Sequence, residues 1–206
     1  MSDAVRIPGV DEPLPAGERV LWHGAPARAP LARDAFHARK IVVYFAALLA
    51  LAALFARNDA APGRALLVSA ISLGVSAAAA TAFALLVATL TARSTVYAIT
   101  DRRVVLKIGL ALPVVLNVPL RLVDSASIAR RRDGTGDIAL RLAGDVRVAY
   151  LVLWPHARAW RLRHPEPLLR SLPDVDLAAR VLRDALVAQM TDATHDEAAP
   201  SAGAAA

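Results

Sequence analysis

Two long runs of uncharged residues dominate the polarity pattern of this chain, and they lie almost back to back. The first covers 41–56 and the second covers 65–92. A helix that crosses the hydrocarbon core of a bilayer needs about 20 mostly apolar residues, each adding about 1.5 Å of length. The second run satisfies this easily, and the link at 57–64 contains asparagine, aspartate, proline and glycine, which favour turns. The pattern therefore predicts a transmembrane hairpin of two helices within 34–92.

The first run is the shorter one, and it reaches the required length only with its N-terminal flank. Residues 35–38 can extend the helix, Asp34 can cap it, and the side chains of Arg39 and Lys40 can reach toward lipid headgroups. The alternative is a soluble protein with two buried helices, but such helices usually carry charges along one face and these runs carry none. A cleaved signal peptide is not expected, because the first run begins only at residue 41.

Basic residues around the two runs predict the orientation of the hairpin. They are concentrated before the first run and after the second, at Arg28, Arg33, Arg39, Lys40, Arg93, Arg102, Arg103 and Lys107. The link holds only Arg57 and Arg64, partly offset by Asp59. Because basic residues mark the cytoplasmic flanks of membrane helices, both termini are expected in the cytoplasm.

After residue 93 the pattern changes to short segments rich in β-branched and aromatic residues, which are typical of strands. Strands are expected at 18–23, 94–99, 103–108, 122–130, 138–142 and 146–153. The apolar stretch 110–120 is too short to span a bilayer and contains two prolines, so we expect a core strand and a loop there.

One amphipathic helix is predicted near the C-terminus, from about Asp174 to Met190. Apolar residues recur there at intervals of three and four, and Asp174 is a suitable N-cap. The residues after Met190 are polar and then rich in alanine, serine and glycine, which predicts a disordered tail. The predicted fold class is an α+β membrane protein, with an N-terminal segment holding the first strand at 1–33, the hairpin at 34–92, an antiparallel β domain capped by the helix at 93–190, and the tail at 191–206.

Composition and charge exclude several classes of function and of binding site. The net charge of +6 would suit nucleic acid, but the basic residues flank the apolar runs, so anionic lipid headgroups are the better partner and no nucleic-acid binding is expected. The chain has no cysteine, which excludes disulfides, thiol catalysis and thiolate metal sites. Its five histidines form no metal-type pair, and there is no nucleophile, Walker or dinucleotide motif. We expect no enzyme activity, no catalytic residue, no metal and no cofactor.

The segment Tyr97–Val104 reads Tyr-Ala-Ile-Thr-Asp-Arg-Arg-Val. It closely resembles the Tyr-x-Leu/Ile-Thr-x-x-Arg hairpin of bacterial PH domains. The resemblance implies a PH-like fold, in which a meander of strands is closed by one amphipathic helix. It also implies that the transmembrane hairpin is inserted into the β domain, with the strand at 18–23 rejoining the later strands.

Two further segments resemble the photosynthetic-complex assembly protein PuhB family of purple bacteria. One is Leu-Pro-Ala-Gly-Glu-Arg-Val-Leu-Trp-His-Gly at 14–24, together with Ala-Phe-His-Ala-Arg-Lys at 35–40. The other is Leu-Trp-Pro-His-Ala-Arg-Ala-Trp-Arg at 153–161, followed by a proline-containing stretch at 165–173. The resemblance covers roughly 14–190.

This resemblance implies an assembly factor for the photosynthetic reaction centre and its core light-harvesting antenna, which acts by protein–protein contact and is not an enzyme. It also implies a multi-pass protein of the bacterial inner (intracytoplasmic) membrane. The alternative function is that of a lipid-sensing bacterial PH-domain membrane protein unrelated to photosynthesis.

The segment with two tryptophans is the predicted partner-binding site. If it forms a strand, alternation places Trp154, His156, Arg158 and Trp160 on one face, with Arg161 beside them. Tryptophan and arginine are common anchors of protein interfaces, and the expected partners are reaction-centre and core-antenna subunits. The alternatives are contact with lipid headgroups and a structural segment in which Trp154 is buried and the arginines are solvated.

Four residues are expected at the membrane interface, where they can contact lipid phosphates: His37, Arg39, Lys40 and Arg93. Ligation of a pigment by His37 is the lesser alternative, since neither apolar run contains a histidine.

Small residues recur at every fourth position of the second run, at Ala70, Gly74, Ala78 and Ala82. This spacing lets another helix approach closely. We expect the row to pack against the first helix of the hairpin. The alternatives are a second copy of the protein, which would make a homo-oligomer, and a helix of the reaction centre.

Overall fold

The computed structural model of the chain describes residues 7, 9–10, 13–56, 62–109, 113–143 and 166–198. The chain divides into two compact units, one formed by Met1–Ala27 with Arg93–Ala206 and the other by Arg28–Ala92. The first unit is an α+β domain built from antiparallel sheets, and the second is helical. The helical unit is therefore inserted into the α+β domain along the sequence.

Three helices begin in the inserted unit: α1 (Arg28–Asp34), α2 (Ala38–Phe55) and α3 (Pro62–Ser94). The sequence predicts a linker at 25–30, which overlaps the start of α1, because two prolines in six residues disfavour helix. Pro30, however, lies in the first turn of α1. The N–H groups of a first turn have no acceptor within the helix, so the missing N–H of proline costs no hydrogen bond there. Asp34 is consequently the last residue of α1, and the prediction that it caps the first span is wrong.

Helix α2 begins only after His37. This residue has φ 55° and ψ 32°, a left-handed conformation, and its side chain makes no capping hydrogen bond. Residues 35–37 therefore do not extend the first span, contrary to the sequence-based expectation. The helix of 18 residues is about 27 Å long, which approaches the thickness of a hydrocarbon core.

The first sheet contains four antiparallel strands in the order β1-β2-β3-β4. They are β1 (Val20–Gly24), β2 (Val96–Thr100), β3 (Arg103–Ile108) and β4 (Val114–Pro119), and β4 leads into a 3-10 turn at Leu120–Leu122. Strand β1 pairs with β2, joining Val20 to Thr100. The strand before the helical insertion is thus hydrogen-bonded to the strand that follows it, as the PH-like resemblance implies.

The second sheet contains three antiparallel strands in the order β5-β6-β7. They are β5 (Val123–Arg130), β6 (Gly136–Leu142) and β7 (Leu168–Leu172). The residues between β5 and β6 contain an Asp-Gly pair, which predicts a hairpin turn, and the structure confirms it: Gly134 has a φ of 79°, and the N–H and hydroxyl of Thr135 both donate to Oδ1 of Asp133. The predicted strand at 146–153 lies outside the described residues.

Helix α4 (Val175–Ala198) completes the core. The main-chain N–H of Leu177 donates to Oδ1 of Asp174 at 2.9 Å, which confirms the predicted N-cap. The buried face of the helix joins residues of both sheets in a single apolar cluster, whose α4 members are Val175, Ala178, Leu182 and Ala185. The PH-like arrangement of two sheets and a closing helix follows from this cluster.

The C-terminal helix is longer than its apolar pattern predicts. It ends at Ala198 and not at Met190, so the predicted disordered tail is wrong for 191–198. Met190 is 70% exposed, which shows that the apolar stripe ends where the helix leaves the core. The hydroxyl of Thr191 donates to the carbonyl of Val187 at 3.0 Å, a contact typical of a continuing helix. Residues 199–206 lie outside the described part.

Candidate interaction surfaces

The turn between β2 and β3 is held by the hydroxyl of Thr100. Its Oγ1 accepts hydrogen bonds from the main-chain N–H groups of Arg102 (3.2 Å) and Arg103 (2.9 Å). It also donates to the carbonyl of Arg103 at 2.9 Å. Because Thr100 is fully buried, the threonine of the PH-like motif is a turn-forming residue.

The tyrosine and arginine of the same motif also hold the fold together. Nε of Arg103 donates to Oε1 of the buried Glu18 at 2.9 Å, which ties the segment before β1 to β3. Tyr97 is fully buried, and its hydroxyl accepts a hydrogen bond from the main-chain N–H of Arg170 in β7 at 3.2 Å. Burial raises the pKa of Tyr97 above its ordinary range. The motif that carries the resemblance therefore determines the architecture and is not an exposed site.

Helices α2 and α3 expose apolar surface along their lengths. Among the described residues, two helical stretches are long and apolar enough to cross a membrane, Ala38–Phe55 and Gly63–Ser94. In the most apolar 18 residues of each, only 0% and 6% of the residues are buried inside the protein. Val43, Phe55 and Phe83 are all more than 60% exposed. This exposure argues against the alternative of two core helices in a soluble protein, which would be mostly buried.

The predicted membrane-interface residues lie at the ends of these helices, and all four are exposed: His37, Arg39, Lys40 and Arg93. Arg93 lies in the last turn of α3, where positive charge suits the helix dipole. Arg39 and Lys40 lie in the first turn of α2, where the dipole disfavours positive charge. A lipid phosphate beside them would compensate this unfavourable charge.

The row of small residues on α3 does not coincide with the covered face of the helix. Gly74, Ala78 and Ala82 are exposed and Ala70 is half-buried. A Cβ built on Gly74 would meet no heavy atom within 4 Å. The expected packing of this row within the hairpin is therefore wrong for its exposed members in the described structure. The less exposed residues of α3 lie along a different side of the helix. They include the half-buried Leu73 and Ala77 and the buried Ala84 and Ala88.

The predicted partner-binding residues lie outside the described residues: Trp154, His156, Arg158, Trp160 and Arg161. Their role stays a prediction. For metal binding, the described ranges contain no group of three or more histidine, cysteine, aspartate or glutamate side chains that could hold an ion.

An apolar groove of about 470 Å³ between β5 and α4 was not predicted from the sequence. Ala126 and Ile128 line one side, Leu186 and Val187 line the other, and the lining also includes the charged residues Arg130, Asp176, Arg180 and Arg183. The sequence does predict both elements, but it does not reveal that β5 runs beside α4, because sheet order depends on long-range pairing.

The fold agrees with the comparison to known families. The family model of the bacterial PH domain matches residues 41–185. This chain belongs to the bacterial PH-domain family. The match covers most of α2 and all of α3 as well as the later strands, so the membrane-length helices of this PH-domain protein belong to the family region.

A relative of this PH-domain protein occurs in Rhodobacter capsulatus, where it is described as an uncharacterized 23.7 kDa protein in the 5′ region of puhA. The two are 41% identical over 202 residues, which is 96% of this chain and 92% of the relative. No solved structure matches this PH-domain protein.

Proposed function

We propose that this PH-domain protein is a membrane-bound assembly factor for the photosynthetic reaction centre and its core light-harvesting antenna. The observation that supports the proposal most is the relative in Rhodobacter capsulatus, because puhA is a photosynthetic reaction-centre gene and the similarity extends over nearly the whole chain. The exposed apolar helices support a location in the membrane, where the subunits of such a complex are inserted. The protein acts by contact and is not an enzyme.

In this proposal α2 and α3 cross the bacterial inner (intracytoplasmic) membrane, with both termini in the cytoplasm. His37, Arg39, Lys40 and Arg93 contact anionic headgroups. Tethering the PH-like domain to the membrane raises the effective concentration of its binding surface near the membrane subunits. The segment from Trp154 to Arg161 contacts those subunits.

Deletion of the gene from a phototrophic host tests the function. We expect lower levels of reaction centre and core antenna, with pigment synthesis largely intact, and recovery when the wild-type gene is restored. Near-infrared absorption of membranes and phototrophic growth measure this directly. A deletion strain in which both remain normal would refute the proposal.

The proposed contact segment is tested with the double change Arg158→Ala, Trp160→Ala. Arginine can make paired hydrogen bonds to carboxylates, and tryptophan adds a large rigid contact area. We expect the variant to accumulate normally in membranes but to co-purify less with reaction-centre subunits, whereas the matched control Arg163→Ala retains co-purification. Loss of the variant protein itself would show that the segment is structural.

A further inference from the structure

Strand β5 is an open edge of the second sheet. It pairs with β6 on one side, and within the described ranges no strand pairs with its other side. Residues 124–130 are all exposed. Natural proteins usually block such an edge with charges, proline or a covering segment. The middle of β5, Ser125–Ala129, contains neither charge nor proline, so its main chain is an available template for another strand.

The opposite edge of the same sheet is covered, which makes the contrast informative. The main-chain N–H of Arg170 in β7 donates to the hydroxyl of Tyr97. The carbonyl of Ser171 accepts from the N–H of Ala27 at 2.7 Å, and the N–H of Ser171 donates to Oδ1 of Asp137 at 2.7 Å. The polar main chain of β7 is therefore satisfied inside the domain, whereas that of β5 faces outward.

The hydrogen-bond register shows which residues of β5 face the open edge. The N–H of Arg131 donates to the carbonyl of Thr135 at 2.8 Å, which begins the ladder between β5 and β6. Hydrogen-bonded pairs alternate along an antiparallel ladder. Residues an odd number of positions before Arg131 therefore turn their N–H and C=O groups away from β6, and these are Ala126, Ile128 and Arg130.

A second contact gives the same register. Ala126 lies opposite Leu140 in the ladder, and the N–H of Leu140 donates to the carbonyl of Pro167 at 2.9 Å, on the side of β6 that faces away from β5. The pair of Ala126 and Leu140 is thus not joined by hydrogen bonds, and the main-chain groups of Ala126 are directed outward.

The outward-facing residues also line the groove. Ala126, Ile128 and Arg130 form the β5 side of the cavity of about 470 Å³. A strand that adds to β5 would therefore gain main-chain hydrogen bonds at the edge and place alternate side chains over the apolar floor formed with α4.

The charges around the groove favour an acidic ligand. Its lining holds three arginines, Arg130, Arg180 and Arg183, against the single carboxylate of Asp176. Arg130 pairs with Asp176 and Arg183 pairs with Asp184, but all four side chains are about half exposed or more. Exposed pairs contribute little to stability and exchange readily. Arg180 is exposed, and no ion pair is described for it in the structure.

We propose that the groove between β5 and α4 binds an extended acidic segment of a partner protein, which adds to β5 as a further strand. Apolar side chains at alternate positions of the segment enter the groove, and its carboxylates pair with Arg180 and Arg183. This inference does not depend on the proposed function, because the geometry holds for a partner in any complex.

The test uses the full-length protein in nanodiscs of zwitterionic lipid and a fluorescent peptide that alternates glutamate and valine. We expect saturable binding by fluorescence anisotropy. Ala126→Pro removes one outward N–H without breaking the ladder to β6, and it should weaken binding about tenfold, the loss expected for a peptide hydrogen bond. The matched control Ala126→Ser keeps the N–H and should bind as the wild type does.

The charge contribution is tested separately, which keeps the proposal falsifiable if Ala126→Pro folds poorly. The double change Arg180→Glu, Arg183→Glu should weaken binding of the glutamate peptide about tenfold or more and favour a peptide that alternates lysine and valine.

Several results would overturn the proposal: no saturable binding to the wild type, or equal binding by folded Ala126→Pro. A dimer that Ala126→Pro dissociates, or binding of phosphatidylglycerol vesicles in place of peptide, would assign the surface to a second copy or to the membrane and would also overturn it.

Discussion

Thr100 makes three hydrogen bonds with a single buried oxygen, and this makes it a sensitive position in the domain. Thr100→Val keeps the shape but leaves the N–H groups of Arg102 and Arg103 without their acceptor. We expect the free energy of unfolding to fall by about 1–3 kcal/mol. Thr100→Ser keeps the acceptor and should cost clearly less. Denaturant unfolding followed by tryptophan fluorescence measures both, and equal losses in the two variants would contradict this, because they would show that the methyl group contributes as much as the hydroxyl.

Tyr97 predicts a loss of stability at alkaline pH. Burial raises the pKa of its phenol above the ordinary value of about 10. The folded state keeps the phenol neutral while the unfolded chain releases its proton, so this contribution is complete below about pH 10 and is lost as the pH rises above it.

We therefore expect Tyr97→Phe to flatten the decline of stability between about pH 9.5 and 11. At neutral pH it should cost about 1–3 kcal/mol, because the N–H of Arg170 loses its acceptor. Unfolding at a series of pH values measures both effects. Tyr44→Phe is the control, since Tyr44 is 59% exposed, and an equal decline in Tyr97→Phe and the wild type would contradict the assignment.

Single residues also show where sequence reasoning ends. Tyr97, Thr100 and Arg103 stand out in the sequence through the PH-like motif, but their partners do not. The carboxylate of Glu18 meets Arg103 across 85 positions, and only the pairing of β1 with β2 brings the two together. A spacing pattern contains no information about such a contact.

At the level of elements, α4 depends on its N-cap. Asp174 satisfies the N–H of Leu177 at the start of the helix, and its charge suits the positive end of the dipole. Asp174→Ala should lower the free energy of unfolding by about 1 kcal/mol, whereas Asp174→Asn keeps an acceptor and should cost less. Thermal unfolding of the two variants measures the difference, and no effect of Asp174→Ala would mean that water replaces the cap.

The elements that sequence reasoning found are those with a sustained pattern. Alternation predicts the strands near β2, β3, β5 and β6, and the spacing of three and four predicts α4. The pattern does not predict β7, because the strand is short and flanked by Pro167 and Pro173. It does not predict α1 either, because proline usually disfavours helix, although the first turn tolerates Pro30.

The left-handed residue His37 shows a different limit. Residues 35–40 contain no proline or glycine, so nothing in the sequence predicts that the helix starts at Ala38. A positive φ in a non-glycine residue is uncommon, and it becomes visible only in the structure.

At the scale of the whole molecule, the two apolar runs predict the two long helices and the PH-like resemblance predicts their insertion into the β domain, while the groove was not predictable. The groove requires β5 to lie beside α4, and the proximity of these two elements results from sheet order and core packing. The exposed row at Gly74, Ala78 and Ala82 likewise shows that a pattern can mark a surface suited to close packing without identifying what packs there.

The last prediction concerns the orientation of the proposed hairpin in the membrane. The chain lacks cysteine, so a single introduced cysteine reports one position. Basic residues are concentrated before the first of the two helices and after the second. These flanks lead to the two termini, and their positive charge predicts that they are cytoplasmic. A membrane-impermeant maleimide should therefore label Asn58→Cys in intact cells, and it should label Ala198→Cys only after the membrane is opened.

Each variant acts as the control for the other, because the two cysteines should give opposite results in the same membrane. The energetic basis is the cost of moving the basic flanks across the bilayer, which greatly exceeds the cost of moving a link with two arginines and one aspartate. Labelling of Ala198→Cys from the periplasm would contradict the predicted orientation. It would also move the β5 groove to the periplasmic side, away from any cytoplasmic segment of a partner.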